Sequence, residues 1–326
     1  MRKYSIIIPV YNRPQEVKEL LSSLTEQKYK NFEVLVVEDG SDQPCQHIVE
    51  DFKNSLIISY FFKPNTGQGF TRNYGYERAT GDYFIVFDSD CLIPADYLLV
   101  VDNHLSQNFL DAYGGPDRAH PSFSALQKAI SYSMTSVFTT GGIRGRKKHA
   151  GTFHPRSFNM GISRKVFEVT GGYIIPRMGE DIEFSIRIST HGFKTSLIEE
   201  AYVYHKRRTS LVQFFKQLHF FGRARINIYR FFPSELKLVH MLPTFFTLGL
   251  FIYLILWIFS KNLFLIATAI FLLYLLFIMV DATIKNSSLK IGLLSVGTSL
   301  IQLVGYGIGF ISELISNKKN SRHNIH

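Results

Sequence analysis

Apolar positions change their spacing along this chain in a regular alternation. Residues 4–10, 32–37, 56–62 and 83–87 are short runs dominated by Val, Ile, Leu, Phe and Tyr, the pattern of buried strands. Segments with helical spacing lie between them. In residues 14–27, Val17, Leu20, Leu21 and Leu24 recur at helical intervals, and Pro14 stands where a first turn tolerates it. Residues 45–52 and 67–78 read as two further helices. This β-α-β-α order predicts an α/β domain, a mostly parallel sheet with helices on both faces.

Beyond residue 110 the alternation loosens. Residues 122–137 predict a helix, and 141–151 a basic, glycine-containing loop, either a lid or a plain surface loop. Residues 180–190 predict a short helix with acids in its first turn and Gly192 closing it. Residues 209–232 mix Phe214, Phe215, Phe220, Phe221 and Tyr229 with Lys216, Arg223, Arg225 and Arg230. That mixture is expected of a helix lying in the headgroup layer of a membrane.

Three apolar stretches follow, at 242–259, 263–280 and 291–311. The first two qualify as membrane spans by length and lack of charge. The third is uncharged but rich in Gly, Ser and Thr, which leaves two or three spans. Three would put Lys318, Lys319 and Arg322 outside, against the positive-inside tendency; two would keep them inside. Gly305 and Gly309 have the Gly-x-x-x-Gly spacing that packs helices closely, a basis for a homo-oligomer.

Composition adds a location. Of 326 residues, 46% are hydrophobic and the mean hydropathy is +0.06, an excess that falls in the last third. The formal charge is +10, and residues 141–230 carry 17 Lys and Arg against 6 Asp and Glu. A basic patch beside apolar spans favours an anionic membrane face over nucleic acid as its partner. Met1-Arg2-Lys3 runs straight into the first strand with no cleavage site, so the N-terminal domain is expected in the cytoplasm. Cys45 and Cys91 form no disulfide framework and have no metal-ligand spacing.

Candidate chemistry gathers at strand ends. Asp88-Ser89-Asp90 follows the apolar run 83–87 directly. Carboxylates two residues apart in extended chain point the same way, and two in one cleft suit a hard divalent cation. Asp39 also ends a predicted strand, and open α/β sheets bind ligands at such ends.

The ordered pieces Ser5-Ile6-Ile7-Ile8-Pro9-Val10-Tyr11-Asn12, Val36-Val37-Glu38-Asp39-Gly40-Ser41, Gly81-Asp82-Tyr83 through Asp88-Ser89-Asp90, Asn159-Met160-Gly161, Gly171-Gly172-Tyr173 and Gly179-Glu180-Asp181 together resemble family 2 glycosyltransferases of GT-A fold, over about residues 4–206. The resemblance implies a nucleotide-sugar donor. Pro9, Tyr11 and Asp39 would line the nucleoside pocket, with Asp39 accepting from a base N–H. Asp88 would lie near ribose and metal, Asp90 would ligate Mn2+ or Mg2+, and Arg72 would sit near the donor. His205 would complete the metal shell, and Arg207 and Arg208 would meet the diphosphate or the lipid face. Asp181 would be the catalytic base, with Glu180 its rival; helix neighbours point about 100° apart, so one of them faces the cleft. Processive synthases of the family carry Gln-x-x-Arg-Trp after the acid, whereas the single Trp here is Trp257, inside a predicted span. Transfer of a single sugar is therefore expected.

The expected architecture is a cytoplasmic GT-A (Rossmann-like) domain at 1–208, an interfacial segment at 209–235, a membrane region at 236–316 and a basic tail at 317–326. The expected activity is inverting transfer from a nucleotide sugar, UDP favoured, to a lipid-linked or membrane-proximal acceptor in surface polysaccharide assembly at the inner membrane. The alternatives are a polyprenyl-phosphate glycosyltransferase and a catalytically silent membrane scaffold.

Overall fold

The structure, a computed structural model, describes residues 1–141 and 153–316. The basic loop beyond Gly141 and the tail from residue 317 lie outside the described residues. The chain divides into two compact units, one holding residues 1–120 and 153–206, the other 121–141 and 207–316.

The elements run β1 (Tyr4–Val10), α1 (Pro14–Thr25), β2 (Phe32–Asp39), α2 (Gln46–Asp51), β3 (Ile58–Lys63), α3 (Gln68–Tyr76), β4 (Tyr83–Phe87), β5 (Cys91–Leu92), α4 (Tyr97–Gln107), β6 (Ala112–Gly114) and β7 (Asp117–Arg118). The chain then enters the second unit as α5 (Ala125–Thr135) and α6 (Val137–Thr140). It returns as β8 (Asn159–Ser163), α7 (Arg164–Thr170), α8 (Glu180–Thr190), β9 (Thr195–Leu197) and β10 (Val203–His205). The second unit is completed by α9 (Leu211–Phe231), α10 (Leu238–Phe259), α11 (Lys261–Asn286) and α12 (Leu289–Ile315).

Seven strands of the first unit form one sheet in the order β3-β2-β1-β4-β8-β6-β9. It is parallel from β3 to β4, and β8 is inserted antiparallel to both neighbours. Alternate side chains of a strand enter opposite faces. Accordingly Ile6, Ile8, Ile85 and Phe87 pack on α1 and α4, while Ile7, Phe84 and Val86 pack on Tyr76, Val166 and Phe184 of the other side. Both faces are covered, which is why these strands read as unbroken apolar runs. Each such side chain contributes about 1.5–3 kcal/mol on burial. A three-stranded sheet, β5-β10-β7, pairs His205 with Cys91 in antiparallel register.

In the second unit α10, α11 and α12 are long and apolar enough to cross a membrane. All three expected apolar stretches are thus helices of sufficient length among the described residues. The third reads weakly because half of its apolar window is buried inside the protein, with Ser295, Thr298 and Ser299 fully covered. Gly305 and Gly309 face α9. A Cβ on Gly305 would lie 3.2 Å from Leu218 Cβ, and one on Gly309 would collide with the His219 carbonyl. The Gly-x-x-x-Gly face is therefore occupied by α9 of the same chain. Arg223 and Arg230 of α9 pair with Glu313 of α12 at 2.9 and 2.7 Å.

Two further expectations change. The helix predicted over 122–137 is two helices, broken at Ser136, whose hydroxyl caps α6. This segment also belongs to the second unit, although the boundary was expected at 208 alone. Ile130 and Met134 of α5 pack on Phe214 and Leu218 of α9, and Tyr132 donates to Asp281 of α11 at 2.7 Å.

Candidate active site

The carboxyl ends of β1, β2 and β4 carry the candidate residues, and buried polar groups fix the loops between them. Glu38, fully buried at the end of β2, accepts from Ser41 Oγ, from the Cys45 amide at 2.9 Å and from Tyr60 Oη at 3.2 Å. Ser41 in turn accepts the Asn12 amide at 2.8 Å, and Asn12 Oδ1 accepts the Gln43 amide at 3.1 Å. Asn12 adopts φ 52°, a left-handed turn that an Asn tolerates. The strap leaves Tyr11 exposed at the end of β1, while Pro9 stays half-buried at Val37's level in the sheet. An exposed ring at that position suits stacking on a flat base.

Asp39 is buried and satisfied from inside. It accepts from Lys63 Nζ at 2.5 Å and from the amides of Thr66 and Gly67 at 2.8 and 3.0 Å. Gly67 has φ 96°, a conformation that presents its amide here at no Cβ cost. Burial pushes the Asp39 carboxyl up, but donation by Lys63 and Thr66 outweighs it and holds the group below the usual carboxylate range. With three donors already in place, about one of its four acceptor positions is left for a ligand.

Arg72 is only 1% exposed, so it is not a surface arginine. Its guanidinium joins Glu180 Oε1 at 3.1 Å to Asp88 Oδ1 at 3.0 Å, and lies over the Tyr173 ring. Glu180 also accepts from Gln68 Nε2 and from the Gly179 amide at 3.2 Å. Burial, and then the neighbouring Asp181 charge, push the Glu180 carboxyl up, against the pull of Arg72. Asp181 turns away from this group. Its Oδ2 meets Arg156 Nε at 2.7 Å, and its Oδ1 accepts the Ile182 amide at 2.9 Å.

The expected ligand trio Asp88, Asp90 and His205 is split. Asp90 meets His205 Nε2 through Oδ1 at 3.0 Å and Arg13 Nη1 through Oδ2 at 2.5 Å. Asp88 goes to Arg72 instead. Same-side carboxylates were expected of extended chain, but β4 ends at Phe87, and the Cys91 amide closes a turn onto the Asp88 carbonyl at 3.1 Å. His205 arrives through the β5–β10 pairing, reinforced by the Lys206 amide on the Asp90 carbonyl at 3.0 Å. Cys91 stands beside them, so that ligand atoms of Asp90, Cys91 and His205 lie within 4.8 Å of one another. Burial, then Asp90 and Asp88, push the Cys91 thiol well up, and a soft sulfur is a poor match for a hard divalent cation. The usable donors are a carboxylate oxygen and an imidazole nitrogen, a set that fits a divalent cation completed by phosphate and water oxygens.

Arg13, Glu38, Lys63, Gln68, Cys91 and Arg156 were not expected here. Of these, Glu38 lay within the quoted motif before Asp39, and Arg13 stood directly after Tyr11-Asn12. Arg207 and Arg208 fall in the second unit.

Comparisons with known proteins agree with this architecture. A family model described as glycosyl transferase family 2 matches residues 5–171. An uncharacterized glycosyltransferase of Rickettsia felis is 37% identical over 144 residues, 43% of this chain and 23% of that protein. The poly(ribitol-phosphate) beta-N-acetylglucosaminyltransferase TarS of Staphylococcus aureus is 35% identical over 160 residues, 43% of this chain and 28% of that protein. The chain thus spans about a quarter of the length of these relatives. The mannosyltransferase PcManGT from Pyrobaculum calidifontis, solved in complex with GDP-Man and Mn2+, superposes with a TM-score of 0.60. That likeness covers 97% of this chain and 88% of that one at 16% identity, and is one of fold. The GT-A sheet followed by C-terminal apolar helices, as expected from the sequence, is the fold of this protein.

Proposed function

Because the chain belongs to glycosyl transferase family 2, we propose that it is a membrane-anchored inverting enzyme. It moves one sugar from a nucleotide-sugar donor, a UDP-sugar in first place, to a lipid-linked acceptor in surface polysaccharide assembly. The observation that carries this is the gathering of Asp90, His205 and the Arg72-held Asp88 where β4 ends, on the side of the sheet where Tyr11 and Asp39 end β1 and β2.

Pro9, Tyr11 and Asp39 form the nucleoside end, Tyr11 by stacking and Asp39 through its remaining acceptor position. Asp88, fixed by Arg72, faces the ribose. Asp90 and His205 would hold Mn2+ or Mg2+, which when bound offsets charge on the departing nucleoside diphosphate. Asp181 takes the proton of the acceptor hydroxyl as its oxygen attacks the anomeric carbon, and the bond to the diphosphate oxygen breaks with its electron pair. Glu180 is the anchor of Arg72 and takes no proton from substrate.

The membrane side of the proposal is supported by three apolar helices and by a cavity of about 560 Å³ in the second unit. Phe138, Leu242, Phe246, Leu250 and Phe271 line it, a surface suited to an acyl or isoprenoid chain. The catalytic unit would work on the cytoplasmic side of an inner membrane, its acceptor delivered in the bilayer.

One contact favours a second reading, transfer onto polyprenyl phosphate itself. Asp181 is ion-paired with Arg156. A phosphate oxygen needs no base to attack, and an arginine there would bind it. Asp181→Asn separates the two. With a hydroxyl acceptor, turnover falls by roughly 10²–10⁴ while nucleotide binding persists. If turnover survives in Asp181→Asn and is lost in Arg156→Gln, the phosphate is the nucleophile. Full activity in both variants overturns both readings.

A further inference from the structure

Arg13 has no place in the roles above, yet it contacts the candidate metal ligand Asp90 directly. It follows the Asn12 turn that ends β1 and immediately precedes α1, so its backbone is fixed. Its Nη1 lies 2.5 Å from Asp90 Oδ2, while Asp90 Oδ1 meets His205 Nε2 at 3.0 Å. The Asp90 side chain is 8% exposed and that of Arg13 29%. One buried carboxylate thus serves a permanent cation on one oxygen and an imidazole on the other.

This arrangement has a chemical consequence for any divalent cation held by Asp90 and His205. A guanidinium bound to the ligand oxygen withdraws its electron density and repels a second positive charge nearby. The same planar fork is the side chain best suited to phosphate oxygens. Glu16, in the first turn of α1, and Asp88 add negative charge around Arg13, and neither replaces its contact with Asp90.

We infer that Arg13 is an internal competitor for Asp90, which keeps divalent-cation affinity low until a nucleoside diphosphate draws the guanidinium onto its phosphates. Metal and nucleotide then bind cooperatively, each strengthening the other by the same factor. The inference rests on the proposed donor site and adds to it the residue that couples its two ligands.

The test is Mn2+ binding to the full detergent-solubilised chain, read by calorimetry and by the paramagnetic resonance of free Mn2+, with and without UDP or GDP. In the wild type, nucleotide tightens Mn2+ binding about tenfold or more. In Arg13→Gln, Mn2+ alone binds about tenfold tighter than in wild type, and the nucleotide enhancement shrinks below about threefold. Arg13→Lys keeps the charge and stays within about threefold of wild type, which guards against a folding artefact in the Gln variant. Unchanged or weaker Mn2+ affinity in Arg13→Gln with an unaltered circular dichroism spectrum overturns the inference. So does Mn2+ binding in Arg13→Lys as tight as in the Gln variant. Either result with nucleotide binding intact leaves the transfer proposal standing; loss of nucleotide binding in the wild type would sink that proposal as well.

Discussion

Lys63 and Asp39 pair inside the fold at the proposed donor site. The two are nearly buried, 2.5 Å apart, and tie the end of β2 to the end of β3. Breaking a buried pair leaves a charge without compensation, at a cost on the order of 3 kcal/mol, so Lys63→Met should destabilise the first unit by that much at neutral pH. The sign of the pH dependence follows from the depressed Asp39 carboxyl. Its stabilisation is present above the unfolded value of about 4 and is lost as pH falls through the lower folded value. Denaturant midpoints of wild type and variant should therefore stay apart from neutral pH down to about pH 4 and converge as pH falls below it. A gap that persists unchanged below it would mean that the pair does not hold the carboxylate. The sequence marked Asp39 as a strand-end acid but gave no sign of Lys63, because a pairing across a parallel register carries no local pattern. The same blindness applied to Asp88 and Asp90. Alternation was the right rule for a strand, and the chain turns at Asp88.

At the level of elements, α12 shows what hydropathy can and cannot convey. Its Gly, Ser and Thr content made it a doubtful span, and the structure gives the reason: one side is spent on α9, α5 and neighbouring helices rather than on lipid. The glycine spacing was legible as a close-packing face, while the partner was not, since α9 reads by composition as a helix lying free at the interface. Gly309→Val should force α9 and α12 apart, because a Cβ there meets the His219 carbonyl. The expected result is a lower thermal midpoint in detergent, on the order of 1–3 kcal/mol of destabilisation, with the hydrodynamic size unchanged. A variant that keeps its midpoint but changes oligomeric state would instead mean that this face meets a second chain. The break at Ser136 was similarly hidden, because α5 and α6 share apolar spacing across it.

For the whole molecule, local periodicity gave the β-α-β-α half almost entirely, since strands covered on both faces and amphipathic helices announce themselves. The rest depends on pairings between distant residues. Asn159 to Ser163 enters the sheet antiparallel between β4 and β6, and His205 reaches Asp90 only because β10 pairs with β5. The ordered motifs bridged that gap by resemblance, which periodicity could not have done. They placed Arg72 near the donor but did not reveal Arg13 and Arg156, which hold Asp90 and Asp181. On the proposed reading, this constellation binds a nucleotide sugar and releases its sugar with the help of a divalent cation. Purified protein in detergent should be offered UDP- and GDP-sugars with Mn2+, with nucleotide binding by calorimetry and nucleoside diphosphate release as the readouts. One nucleotide class should bind, its diphosphate should be released, and chelation by EDTA should stop release until Mn2+ or Mg2+ is restored. A folded protein that binds none of these nucleotides would contradict that reading.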